Sequence, residues 1–135
     1  MPDDVIRDRD YESLAAFRQA LRRFVAFSET QAKASGLSPR QHQALLAIRG
    51  TAPANGLPIS QIANDLLIQH NTAVELVDRL VEAGLVRRQA DPSDGRRSLV
   101  VLTAKAETVL AALSAAHLGE LRAIRPNLLA LLRRF

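Results

Sequence analysis

The sequence predicts a mainly α fold with one small β-hairpin, an α+β class in which helix dominates. Three observations predict it. Of the 135 residues 47% are hydrophobic but only 4% aromatic, a balance that favours Leu- and Ala-rich helices over sheets. Apolar residues recur at spacings of three and four through most of the chain, which is the period of one helix face. One stretch, RRQADPSDGRRSLVVLT at 87–103, breaks that period with a centre rich in Asp, Pro and Gly between two short arms, as a hairpin does. The length suits a single domain, 1–135, with a real core.

The first helix is predicted from Tyr11 to about Ala34, where Leu14, Phe17, Leu21 and Phe24 form a nearly heptad-like apolar stripe. Gly36 ends it as a left-handed cap, with Leu37 behind it. Ser38-Pro39-Arg40-Gln41 supplies a cap, a proline at the first helical position and a capping-box glutamine. The second helix it opens carries Leu45, Leu46 and Ile48 and stops near Gly50. TAPANGLP, 51–58, is a loop on its Pro, Gly and Asn content. A short third helix covers about Ile59 to Leu66, and after a three-residue break a fourth covers about His70 to Ala83. The fourth has a predicted buried stripe of Ala73, Val77, Leu80 and Val81, and Gly84 stops it. These two short helices, with small Ala63 at their crossing, form a helix-turn-helix. Strands at Leu85–Gln89 and Ser98–Thr103 bracket the loop, and Gly95 eases its tip. A long helix from Ala104 to about Ala123 carries Val109, Leu110, Leu113 and Leu118, with Gly119 as a soft spot. Pro126 restarts a last helix bearing Leu128, Leu129, Leu131, Leu132 and Phe135. The order α-α-α-α-β-β-α-α is a winged helix-turn-helix at about 38–103 between long terminal helices at about 11–35 and 104–135.

Several function classes drop out. There is no cysteine, so disulfides, thiolate metal sites and thiol redox sensing are excluded. The three histidines, His42, His70 and His117, are widely spaced in sequence, and no metal site or cofactor is expected. No nucleophile–base cluster, carboxylate pair or glycine-rich phosphate loop sits on adjacent elements, so the chain is not expected to be an enzyme. No apolar run is long enough to span a membrane, and MPDDVIRDRD lacks the apolar core of a signal peptide. The cytoplasm is the expected location.

Charge is distributed unevenly around a net of +4. Residues 1–12 hold five acids and two arginines, whereas 87–105 hold five cations and two acids. A basic hairpin on a near-balanced chain points to an anionic partner met locally. The fourth helix is instead net acidic, with Glu75, Asp78 and Glu82 against Arg79.

LVDRLVEAGLVRR (76–88), DPSDGR (91–96) and LVVLT (99–103), with weaker support from GLSPRQHQALLAI (36–48), stand at the spacings of one known family. The chain resembles the MarR family of transcriptional regulators over essentially its whole length. The resemblance implies that the fourth helix enters the major groove of double-stranded DNA by its N-terminal end. Gln69, His70, Asn71, Thr72 and Glu75 are then candidate base readers, with Arg79 beside them. A rival role for Asn71 and Thr72 is simply to cap the helix. The wing residues Arg88, Ser93, Asp94, Arg96 and Arg97 would hold the backbone, with Arg96 beside Gly95 entering the minor groove. The resemblance also implies that Asp94 anchors the wing through an ion pair with Arg88, leaving Asp91 as the turn-forming acid. Ser38 and Arg40 are candidate phosphate contacts.

The terminal helices carry more apolar side chains than one small wing domain can cover. Leu14, Phe17, Leu21, Leu128, Leu131, Leu132 and Phe135 are the expected homodimer contacts. By resemblance a small-molecule effector, aromatic or phenolic, binds between these helices and the wing domain; no residue cluster in the sequence identifies its pocket. The expected function is a ligand-responsive repressor that binds a pseudo-palindromic operator as a homodimer. The alternative is a winged-helix protein–protein interaction module without DNA binding, which the acidic fourth helix favours.

Overall fold

The computed structural model describes residues 5–51 and 54–135. Residues 1–4, part of the acidic N-terminal stretch, and Ala52-Pro53 of the expected loop lie outside them. The elements are α1 (Asp8–Ala34), α2 (Pro39–Thr51), β1 (Leu57–Pro58), α3 (Ile59–Leu66), α4 (His70–Glu82), β2 (Val86–Ala90), β3 (Ser98–Leu102) and α5 (Ala104–Leu132). The fold is mostly helical with a three-stranded antiparallel sheet in the order β1-β3-β2.

Helix ends define the chain path. At the end of α1, Gly36 takes φ +80°, and Leu37 N–H donates to the Ala32 carbonyl at 2.9 Å, satisfying a carbonyl that would otherwise lack a partner. The next helix starts at once. Ser38 N–H donates to Gln41 Oε1 at 2.9 Å and Gln41 N–H donates to Ser38 Oγ at 3.1 Å, the reciprocal box the sequence predicts. Helix α4 ends in the same way, with Gly84 at φ +73° and Leu85 N–H on the Leu80 carbonyl at 3.0 Å. α1 begins three residues before Tyr11, because Asp10 accepts from the Arg7 N–H at 2.8 Å and so caps an earlier turn.

The structure corrects four local expectations. The 51–58 stretch is not loop throughout: Leu57 and Pro58 pair with Val100 and Leu99 as β1. Gly56, at φ +82°, makes this docking possible, since a Cβ there would lie 2.5 Å from both the Val100 oxygen and Val101 Cγ1. The buried stripe of α4 is Ala73, Leu76, Val77 and Leu80; Val81 is exposed because the helix presents its i, i+3, i+4, i+7 row inward. Gly119 and Pro126 do not break the last helix, and α5 is one helix through both. Pro126 lies on an exposed stretch, and the lost bond to the Arg122 carbonyl is outweighed by continuous packing along α1. Finally, Leu131, expected among the dimer contacts, points inward. It is buried within its own chain, and Phe17 packs edge-on against Phe135 with ring centroids 6.0 Å apart. Leu14, Leu21 and Leu132 remain exposed and Leu128 half-buried.

The core lies between α2, α3, α4, the sheet and the first half of α5. Leu45, Ile48, Ile62, Val77, Leu80, Val100 and Leu113 are its largest fully buried side chains. This packing leaves the start of α4 and the β2–β3 loop at the surface.

Candidate nucleic-acid interface

The turn between α3 and α4 sets the angle of the helix-turn-helix. Leu67 takes the left-handed conformation at φ +57° and Ile68 N–H donates to the Ala63 carbonyl at 3.0 Å. Gln69 caps α4 with extended backbone and no side-chain cap bond. Asn71 and Thr72 therefore do not serve as caps. The side chains of Gln69, His70 and Asn71 are exposed and Thr72 is half-buried, so the first turn of α4 presents amide and hydroxyl groups outward.

Glu75 has cationic company. A recess of about 400 Å³ is lined by Ser38, Arg40, Gln41, Thr72, Glu75, Leu76 and Arg79. The structure thus brings the two phosphate candidates on α2 beside the reader candidates on α4, and two arginines face the same space as the carboxylate. A second acid of α4 is paired, because Arg88 of β2 donates to the Asp78 carboxylate. The net acidity read from the sequence overstates what a partner at this surface meets.

The Arg88–Asp78 pair overturns the expected Arg88–Asp94 pair. Asp94 instead caps its own turn, accepting from the Arg96 N–H at 3.1 Å. The wing anchor is Asp91, the buried acid at the base of the loop. It accepts from Ser93 N–H at 2.9 Å and Ser93 Oγ at 2.8 Å through one oxygen. Through the other it accepts from Arg97 Nε at 3.1 Å and Nη2 at 3.0 Å. The backbone closes the same base, with Asp91 N–H on the Arg97 carbonyl and Arg97 N–H on the Asp94 carbonyl, both at 3.0 Å. The Ser93 backbone and hydroxyl bonds pull the Asp91 carboxyl down to about 2; burial opposes them, and the bond and charge of Arg97 add smaller downward pulls. The roles of the two acids are exchanged because only Asp91 lies where the strands close.

The wing candidates therefore separate. Arg88, Ser93, Asp94 and Arg97 have partners inside the protein. Arg96 is exposed, and its guanidinium has no hydrogen-bond or ion-pair partner among the described residues. The sequence reading missed Asp78 and Asp91 as wing supports; the only signal for them was the presence of an acid within reach of each arginine.

Two histidines that are distant in sequence meet at the junction of α1, α2 and α5. The rings of His42 and His117 have centroids 4.9 Å apart, with Phe24 and Phe27 edge-on to His117. His117 Nδ1 lies 2.7 Å from the Leu113 carbonyl and Nε2 lies 2.8 Å from Ser28 Oγ. A carbonyl can only accept, so Nδ1 carries the proton that bonds Leu113, and the Ser28 hydroxyl partners Nε2. Burial, and then the neighbouring His117, push the His42 pKa down. Among the described residues no group of three or more His, Cys, Asp or Glu side chains gathers to hold a metal.

A MarR family model matches residues 35–97, the stretch that runs from the end of α1 to the wing. The crystal structure of a probable transcriptional regulator from Pseudomonas aeruginosa is 34% identical, covering 87% of this chain and 91% of that one with a TM-score of 0.65. The chain belongs to the MarR family. AbsC, a MarR family transcriptional regulator from Streptomyces coelicolor, shares the fold at a TM-score of 0.75, with 18% identity over 88% of this chain and 80% of its own. The transcriptional regulator HosA of Escherichia coli O111:H- is 51% identical over 41 residues, a match spanning 30% of this chain and 30% of that protein. As a MarR family chain, the protein belongs among transcription regulators rather than enzymes. No helix among the described residues is long and apolar enough to cross a membrane.

Proposed function

We propose that the chain is a DNA-binding repressor that acts in the cytoplasm as a homodimer on a pseudo-palindromic operator. The N-terminal turn of α4 reads base edges in the major groove, and Arg96 enters the adjacent minor groove. The observation that carries this reading is the wing itself: Asp91 closes its base by holding Arg97, and the exposed Arg96 guanidinium near the tip has no partner among the described residues. A loop whose base is already closed loses little backbone freedom when it carries an unpaired guanidinium into a narrow, electronegative groove. Ser38 and Arg40, beside Thr72 and Arg79, supply the phosphate contacts. The homodimer follows from Leu14, Leu21 and Val25 on α1 and Leu118, Leu121, Leu129 and Leu132 on α5, all exposed in one chain.

A small-molecule effector that relieves DNA binding belongs to the same proposal. CouR of Rhodococcus jostii RHA1, 24% identical and covering 77% of this chain, was solved bound to p-coumaroyl-CoA, and an aromatic effector is the corresponding expectation here.

The test is Arg96→Ala, titrated with duplex DNA at two salt concentrations. Affinity should fall by roughly 1–3 kcal/mol per wing, with a shallower salt slope on any sequence. Asn71→Ala should weaken only a selected sequence. Unchanged affinity and slope for Arg96→Ala would favour a protein-docking module instead.

A further inference from the structure

At the Leu102-Thr103 end of the wing the hydrogen bonds run to the segment that follows α4. Thr103 sits at the joint between β3 and α5. Its N–H donates to the Leu85 carbonyl at 3.0 Å, and its Oγ1 donates to the Gly84 carbonyl at 2.7 Å while accepting from Ala106 N–H at 3.3 Å. Two residues on, Lys105 Nζ donates to the Ala83 carbonyl at 2.8 Å. The three carbonyls that follow the last residue of α4 are thus all held by the N-cap residue of α5 and by Lys105 in its first turn. An ammonium at a helix C-terminus also complements the helix dipole. On its other side, the first turn of α5 is tied to the end of α2 by Arg49 Nε on Glu107 at 3.0 Å.

We propose that Thr103 and Lys105 are positioning residues for DNA reading: they clamp the C-terminal end of α4 to α5 and so fix where its N-terminal end points. The argument is one of leverage, and it rests on the DNA-binding reading above. α4 has 13 residues, so it is about 20 Å long. Its candidate readers, Gln69 to Thr72, lie at the end opposite the clamp. A tilt of about ten degrees at the clamped end moves them by about 3.4 Å, which is one base step of duplex DNA. α5 in turn carries Leu118, Leu121, Leu129 and Leu132, the exposed leucines of the proposed dimer face. The clamp therefore joins the element that reads bases to the element that sets the distance between two readers. Loosening it should blur sequence choice and half-site spacing while leaving the charge-driven attraction to DNA intact.

The experiment first selects duplexes from a random pool with the parent protein, then compares one selected duplex with a scrambled duplex of equal length. Lys105→Met keeps the stem and the Thr103 cap but removes the bond to Ala83. Thr103→Val removes both the cap and the bond to Gly84, and Thr103→Ser restores them. For Lys105→Met we expect affinity for the selected duplex to fall by about tenfold, the scale of one misread base pair. Affinity for the scrambled duplex should stay within about twofold, with the salt slope retained. The parent should reject a one-base-pair insertion between half-sites more strongly than this variant does. Thr103→Val should behave likewise at a temperature where it remains folded, and Thr103→Ser should match the parent. Equal losses on both duplexes, or no loss on either, would overturn the clamp while leaving DNA binding in place. Failure of the parent to select any duplex would overturn the DNA-binding reading and the clamp with it.

Discussion

At the scale of single residues, the wing depends on a choice among three acids. Asp78, Asp91 and Asp94 all lie within reach of an arginine, and each has a different task. Asp78 takes Arg88, Asp91 takes Arg97 and Asp94 bonds its own turn. Sequence spacing could not make this assignment, because whether a side chain of this length reaches its partner depends on strand register. The depressed pKa of Asp91 gives the assignment a measurable consequence. The group is more acidic in the folded than in the unfolded protein, so its stabilising contribution is full above the ordinary carboxylate value of 3.8 and is lost as pH falls toward about 2. Asp91→Asn should lower the melting temperature at neutral pH and flatten the acid limb of stability between these two values. It should also weaken DNA binding through a loosened Arg96, although residue 91 is itself buried. Thermal melts from pH 2 to 7 decide the matter. A variant with the parent's acid limb would remove Asp91 as the anchor.

At the scale of elements, short-range signals read well and long-range ones did not. The Ser38 box, the Gly36 and Gly84 helix ends and the extent of α3 involve residues within a few positions of one another. β1 has two residues, and its partner comes about forty positions later in the chain, too short a segment for any period to mark it. Its entry depends on Gly56, which yields a paired prediction. Gly56→Ala combines a positive φ with a collision against backbone and should cost about 2–4 kcal/mol. Gly84→Ala has the positive φ but open space around its Cβ, and should cost about 1–2 kcal/mol. Denaturant titration of the two variants measures the difference. Equal losses would mean that β1 gives way freely and contributes little.

At the scale of the whole molecule, α1 and α5 lie against each other and still leave a leucine-rich surface uncovered. Leu118, Leu121, Leu129 and Leu132 share one side of α5, flanked by Arg122 and Arg125. Light scattering at micromolar concentration should give about twice the 14.8 kDa chain mass. The double variant Leu129→Glu with Leu132→Glu should halve that mass and reduce operator affinity far more than Arg96→Ala does, since two half-sites then bind independently. A parent that runs as a monomer would end the dimer proposal.

By itself the sequence determined the helices of the helix-turn-helix half, the Ser38 box, the Gly36 and Gly84 helix ends, the wing hairpin and the family, because each rests on a local pattern of period, cap or turn chemistry. Only the tertiary structure decided that α5 runs unbroken through Pro126, that Leu131 faces inward, that His42 meets His117, and which acid holds which arginine. The physical reason is common to all four. Each outcome is a competition between a local preference and a contact made by residues far apart in the chain, and the strength of that contact depends on packing that no local pattern encodes.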